Sequence, residues 1–325
     1  MYLDPASSGT RTTIDVTMRE RRFGLEQNLW NRVRAAFPSQ TCSTLRLEQS
    51  GGDHLLLIVD ENRAFRFPRP GKHGLGLEIS VLECLRGQAR VAIPAYDLVD
   101  PDGGFAGYPL IPGVQLTPAR FSALSIDAGR TVLADTLVML KLLHALEPHL
   151  VMPIDRWPRM WSSGQFADRI ANERLLLLAN RLPVLAMPIA AFLDRYRIDR
   201  APRDIVLHGD LVCDHLLIDE TTDRLAGIID FSDVALGDPA HDLLGFWTYG
   251  APAAAYAVKC CADADTDPTL FARSHRHFVR YEIDRLYESI VDGASDRTIQ
   301  QHGTKVIELI AASLRADPIT GEYDG

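Results

Sequence analysis

Apolar residues recur at helical spacing in some stretches and as short alternating or continuous runs in others. Phe23, Trp30, Val33 and Phe37 lie at helical spacing over residues 23–37, and Pro38 ends that pattern. Three strand-like runs follow, at 44–49, 54–60 and 64–67. Ser50-Gly51-Gly52 joins the first two and Glu61-Asn62 the next two. Residues 75–86 read as a helix, and more strand-like sequence follows with a turn at Pro101-Asp102-Gly103-Gly104. The character changes at Pro112-Gly113. Val132, Leu133, Leu137, Leu140, Leu143 and Leu146 mark a helix over 128–146, and helices are predicted over 166–179 and 189–197. Three short apolar strands come next, at 204–208, 215–219 and 225–230, and a helical region follows from about 240. This predicts an α+β chain: a small sheet-rich lobe with an inserted helix, a short connector, and a larger helical lobe that holds a β-hairpin.

Composition narrows the function. The chain has 325 residues, enough for two lobes, with 46% apolar and 24% charged residues. A net charge of −9 argues against a nucleic-acid or anionic-membrane partner. The five cysteines, Cys42, Cys84, Cys213, Cys260 and Cys261, contain no C-x-x-C pair, which suggests neither zinc nor a disulfide framework. No apolar secretory segment opens the chain, and no apolar stretch reaches membrane-spanning length. A cytoplasmic protein is expected, monomeric or weakly dimeric, with a polar mobile arm over residues 1–17.

Candidate chemistry concentrates between Leu207 and Asp242. His208-Gly209-Asp210 follows a strand directly, which sets Asp210 on a tight turn at a strand end. His215 opens the next strand, Thr221-Thr222-Asp223 turns it, and the return strand ends in Ile229-Asp230-Phe231. A hairpin of these lengths brings Asp210, His215 and Asp230 to one end. One general base and two ligands for a hard cation would suit phosphoryl transfer. Singly, each Asp reads equally as a turn residue.

The string H-G-D-L-x3-H, then I-I-D-F-S-D, then G-D-P-A-H-D-L resembles the catalytic core of the aminoglycoside phosphotransferase family, relatives of the protein kinases. Histidine at 215, where most of that family has Asn, is similar to the 2''-aminoglycoside branch and to macrolide kinases. The resemblance covers about residues 44–290. It implies a bilobal protein-kinase-like fold, with an N-lobe over 1–107, a hinge over 108–114 and a C-lobe over 115–325. It implies that Asp210 is catalytic, and that His215 and Asp230 bind Mg2+. Ser50, Gly51 and Gly52 would cover the phosphates of GTP or ATP. Arg66 stands where the family usually has a phosphate-binding Lys, and Glu78 would pair with it. Tyr108, Pro109, Leu110 and Ile111 would hold the base. The bulky Tyr108 leans toward GTP, because aromatic residues at that position accompany GTP use in the 2'' branch. His208 is expected to pack the catalytic loop, His144 to be a helix-end histidine, and Asp238 and Asp242 to hold the loop through backbone contacts, with no chemistry assigned to them.

The acceptor is the open question. The implied acceptor is an antibiotic, first an aminoglycoside, with a macrolide or a metabolic alcohol as alternatives. Residues 243–258 carry no acid, so they are either a buried helix or a less charged acceptor pocket. Asp263, Asp265, Asp267, Glu282, Asp284 and Glu288 could receive a cationic acceptor or form a solvated face.

Overall fold

The computed structural model describes residues 24–49, 52–72, 74–261 and 267–315, so the expected arm over 1–17 lies outside the described residues. The chain divides into two compact units, Met1–Glu83 with Pro94–Ile111, and Cys84–Ile93 with Pro112–Gly325.

The first unit is a five-stranded antiparallel sheet with helices α1 (24–36) and α2 (Gly76–Leu85). Its strands are β1 (Leu45–Glu48), β2 (His54–Val59), β3 (Arg63–Pro68), β4 (Leu98–Val99) and β5 (Ala106–Pro109), in the order β1-β2-β3-β5-β4. Strand alternation sorts the side chains. Leu47, Leu57, Val59, Phe65 and Phe67 face one way and pack with Phe105 against Leu29, Trp30 and Val33 of α1. The even-numbered residues face the other way, and among them is Arg66, opposite Leu56. Asp60 and Glu61, both with φ of 50°, lie in the β2–β3 turn. Val59 pairs with Arg63, so the turn spans Asp60, Glu61 and Asn62, one residue longer than the Glu61-Asn62 reading. Asp60 holds it by accepting from Ser43 and Thr44 N–H groups, both at 2.8 Å.

The second unit is mainly helical. It contains α3 (Pro118–Ala123), α4 (Ile126–His144), α5 (Pro148–Val151), α6 (Ser163–Arg169), α7 (Leu175–Arg181), α8 (Ala186–Tyr196), α9 (Ala251–Cys260), α10 (Leu270–Val291) and α11 (Asp296–Arg315). A π-helical turn, Ile170–Arg174, joins α6 to α7 within the stretch expected as one helix. Helix α4 starts at Ser125, whose hydroxyl accepts from Ala128 N–H, and it buries Val132, Leu133, Leu137, Leu140 and Leu143. A core of Phe166, Ile189, Phe192, Val279, Ile283, Val306 and Ile310 ties α6, α8, α10 and α11 together.

Two small sheets sit among these helices. β6 (Val114–Gln115), β8 (Leu216–Asp219) and β9 (Arg224–Ile228) form one, in the order β6-β8-β9. β7 (Ile205–Leu207) pairs instead with β10 (Ala235–Gly237). The first of the three apolar runs is therefore not part of the hairpin. Its partner is only three residues long, too short for a period-2 pattern to register.

No described helix is long and apolar enough to cross a membrane. All five cysteines are free. Phe65 is fully buried between α1 and the sheet. Phe65→Ala is expected to destabilise the protein by about 3–5 kcal/mol, read as a lower urea midpoint with an unchanged m-value for the affected transition.

Candidate active site

The geometry of the 208–242 segment begins with a backbone constraint. Ile205, Val206 and Leu207 are buried, and the chain must turn sharply on leaving β7. Gly209 makes that turn with φ of 85°, and a Cβ there would lie 2.0 Å from the Asp233 carbonyl oxygen. Only glycine fits.

Asp242 fastens the turn. It is fully buried, its Oδ2 accepts from His208 N–H at 2.8 Å, and its Oδ1 accepts from Gly209 N–H at 2.9 Å. His144, the last residue of α4, places Nε2 2.9 Å from Oδ2. Burial alone would lower the His144 pKa, but Asp242, helped by Cys261, overrides it and lifts the value to about 9. Burial likewise opposes ionisation of Asp242, and His144 more than compensates, holding its pKa below the usual carboxylate value. The pair is therefore ionic, as a helix C-terminus also favours.

The neighbouring histidines are neutral. His208 donates from Nε2 to the Ile229 carbonyl at 3.2 Å, and its Nδ1 accepts from Asp210 N–H at 3.4 Å. Burial lowers its pKa to about 4. His241 donates from Nε2 to the Gly209 carbonyl at 3.1 Å, and burial together with the nearby Arg280 and His277 charges lowers its pKa to about 3. Asp238, four residues before Asp242, takes the Arg273 guanidinium through two 2.9 Å bonds, while Asp267 holds its other side at 2.6 Å. Arg273 is 1% exposed.

On this platform Asp210 projects a half-exposed carboxyl. Desolvation pushes its pKa above the usual value, His215 opposes the rise, and Asp230 adds to it. Pairing of Leu216 with Ile228, and of Ile229 N–H with the His215 carbonyl at 3.0 Å, sets His215 and Asp230 at the same end of the hairpin. His215 Nδ1 lies 2.7 Å from the Asp210 carbonyl, which can only accept, so Nδ1 carries a proton. Nε2 then faces Asp230, whose Oδ2 is 3.6 Å away. The distance from His215 Nδ1 to Asp210 Oδ2 is also 3.6 Å. Asp230 adopts φ of 65°, and Ser232 Oγ donates to its Oδ1 at 2.7 Å. Among the described residues no cluster of three or more His, Cys, Asp or Glu side chains could cage a metal. Mg2+ does not need a cage: one or two protein ligands suffice when phosphates and water complete the octahedron. An imidazole whose tautomer is fixed by a carbonyl, beside a carboxylate, fits that demand.

The residues expected to contact nucleotide lie in the first unit. Arg66 Nη1 donates to Glu78 Oε1 at 2.7 Å, and the Tyr96 hydroxyl donates to the same oxygen at 3.0 Å. Arg66 and Glu78 are 5% and 4% exposed, and β3 is an interior strand, so this is not an ordinary edge arginine. Tyr108 is buried in β5, its ring edge-on to Tyr96 at 5.1 Å. Pro109 has no N–H, and the N–H of Leu110 goes to the Asn62 carbonyl at 2.8 Å. Gly52 is exposed, whereas Ser50 and Gly51 lie outside the described residues.

Glu282 and Asp284 on α10 are neither a solvated face nor open to a ligand, whereas Glu288 is exposed. Glu282 is 2% exposed and is neutralised by His302 at 3.0 Å and Lys305 at 2.9 Å. Asp284 is held by Arg174 at 2.6 Å and Arg280 at 3.0 Å. Asp267 is committed to Arg273; Asp263 and Asp265 lie outside the described residues. Residues 243–258 are mostly core. Leu244, Phe246 and Trp247 are buried, and Trp247 donates from its indole N–H to Ser274 Oγ at 3.0 Å. Cys213, close to Asp210 in sequence, has its thiol pKa raised to about 11 by burial and Asp214, which leaves it un-ionised. Sequence reasoning passed over His54, Tyr96, His241 and Arg273, because each earns its place by a contact distant in sequence.

The profile of the APH phosphotransferase enzyme family matches residues 50–269, and the chain belongs to that family. Solved structures agree on the fold. An APH(2'') enzyme crystallised with GDP and kanamycin is 22% identical, with 88% of this chain and 98% of that one covered and a TM-score of 0.69. An ADP-bound APH(2'')-Ib is 17% identical over 88% and 98% of the two chains, with a TM-score of 0.59. Macrolide 2'-phosphotransferase MphH from Brachybacterium faecium is 19% identical over 87% and 97%, with a TM-score of 0.54. No curated protein matches the chain.

Two outcomes are expected. Gly209→Ala forces a Cβ onto the Asp233 carbonyl and should abolish turnover, checked by assay of the purified variant. The His144–Asp242 pair contributes stability fully below pH 6.5, the ordinary histidine value, and loses it as pH rises through about 9. The stability gap between the parent and His144→Gln should therefore close between pH 6 and pH 10. An equal gap at both ends would remove the ion pair as its source.

Proposed function

We propose that this phosphotransferase moves the γ-phosphate of GTP or ATP to a hydroxyl of a small-molecule antibiotic, with an aminoglycoside as the first acceptor to test. The convergence of Asp210, His215 and Asp230 on one rim of the second unit carries the reading. Asp210 orients the acceptor hydroxyl and takes its proton as the new O–P bond forms. The bond from the γ-phosphorus to the bridging oxygen breaks, and the nucleoside diphosphate leaves. Desolvation suits Asp210 to this task, because a raised pKa makes a carboxylate a better base. His215 and Asp230 would hold Mg2+, which neutralises phosphate charge when bound. Arg66, oriented by Glu78, would contact the phosphates, and the 108–111 backbone would read the base. The buried, aromatic Tyr108 favours GTP on the same ground as in the sequence.

A macrolide is the second reading. It is favoured by the pairing of Glu282 and Asp284 with cations and by the acid-free 243–258 stretch.

The test is mass spectrometry of acceptors incubated with enzyme, Mg2+ and either nucleotide, across aminoglycoside and macrolide panels. One added phosphoryl group on an aminoglycoside is expected, and a gain on macrolides alone would select the second reading. Asp210→Ala should lower kcat by about 10^2–10^4-fold while nucleotide Kd stays near the parent value. An Asp210→Ala enzyme with parental kcat would sink the assignment. Removal of divalent cations by EDTA should stop turnover, and Mg2+ should restore it.

A further inference from the structure

We propose that His54 is a positioning residue for nucleotide binding, fixing the plane of the Arg66 guanidinium so that arginine can work at a position expected to hold lysine. The inference rests on the reading of Arg66 as a phosphate contact.

The argument starts from strand register. Arg66 of β3 lies opposite Leu56 of β2, and His54 lies two residues before Leu56, so it shares that face and is the diagonal neighbour of Arg66. His54 Nδ1 is 3.0 Å from Arg66 Nη2. A guanidinium has donors only and stays protonated, so Nη2 donates and Nδ1 supplies the lone pair. The opposite nitrogen, Nη1, donates to Glu78 at 2.7 Å. The two arms of the fork are thus held from two elements, β2 and α2.

Lysine would not need this arrangement. An ammonium is a point charge with rotatable donors, and one carboxylate suffices to aim it. A guanidinium is planar, and its recognition of phosphate depends on the direction of that plane. A bond from one nitrogen to one carboxylate oxygen does not by itself fix that plane. A second anchor on the other nitrogen does. The anchor is a neutral acceptor rather than a second carboxylate, so it adds no negative charge beside the Arg66–Glu78 pair.

The experiment is a double-mutant cycle on the full chain, read as KM for Mg-GTP and Mg-ATP, KM for the acceptor, kcat and Tm. His54→Ala is expected to raise nucleotide KM roughly tenfold, the scale of one lost bond to a charged group, with acceptor KM unchanged. His54→Asn places an oxygen acceptor near the position of Nδ1 and should recover most of the loss. In an Arg66→Lys background His54→Ala should add nothing, since lysine has no second arm to hold. Equal effects of Ala and Asn, or the same penalty in the Arg66→Lys background, would show that His54 only packs the sheet and would overturn the proposal. If Arg66→Ala itself leaves nucleotide KM unchanged, the phosphate role of Arg66 fails, and this inference fails with it. A large Arg66→Ala effect without coupling to His54 sinks the inference alone.

Discussion

One buried carboxylate organises the 208–242 segment. Asp242 takes the backbone N–H groups of His208 and Gly209 on its two oxygens and the imidazolium of His144 on one of them. An ionised carboxylate is costly to bury, and it is tolerable here because three charge-assisted bonds converge on it. The same arrangement makes the segment intolerant of truncation. Loss of the carboxylate would strand two buried N–H groups and a buried cation together. Because the anchors are backbone groups, the loop conformation is set before any side chain reaches outward. The position of Asp210 follows from it.

Around that anchor, similar side chains take opposite roles because their surroundings differ. His144 meets an anion at a helix end and is charged. His208 and His241 meet carbonyls and a backbone N–H, and burial keeps them neutral. Neutral rings can donate on one nitrogen and accept on the other, which is how His208 bridges the β9 end to the Asp210 N–H. Arg273, closed between Asp238 and Asp267, welds the segment after β10 to the start of α10. Rigid support of this kind is what a positioning mechanism needs, since phosphoryl transfer asks little covalent chemistry of the protein.

On α10 the structure reverses a charge argument. Glu282 and Asp284 are among the acids that could have received a cationic acceptor, yet each is paired with cations of the second unit. A count of acids therefore overstates the negative field available to an acceptor. In the first unit, the Arg66 guanidinium is taken by both Glu78 and His54.

Much of this was legible in the sequence because it depends on local periodicity and on a compact motif. The helix α4 and strands β1 to β3 follow from side-chain spacing. Asp210, His215 and Asp230 lie within 21 residues of one another; the hairpin register sets His215 beside Asp230, and the Asp210 carbonyl meets His215 Nδ1. The β7–β10 pairing, the burial of 243–258 and the partners of Glu282, Asp284, Arg273 and His54 were decided only by tertiary structure. Burial and ionic partnership belong to pairs of residues, and these pairs are up to 110 positions apart. Local sequence sets what a side chain can donate or accept, whereas the packing of distant elements sets whether that capacity is spent inside the fold or left for a ligand.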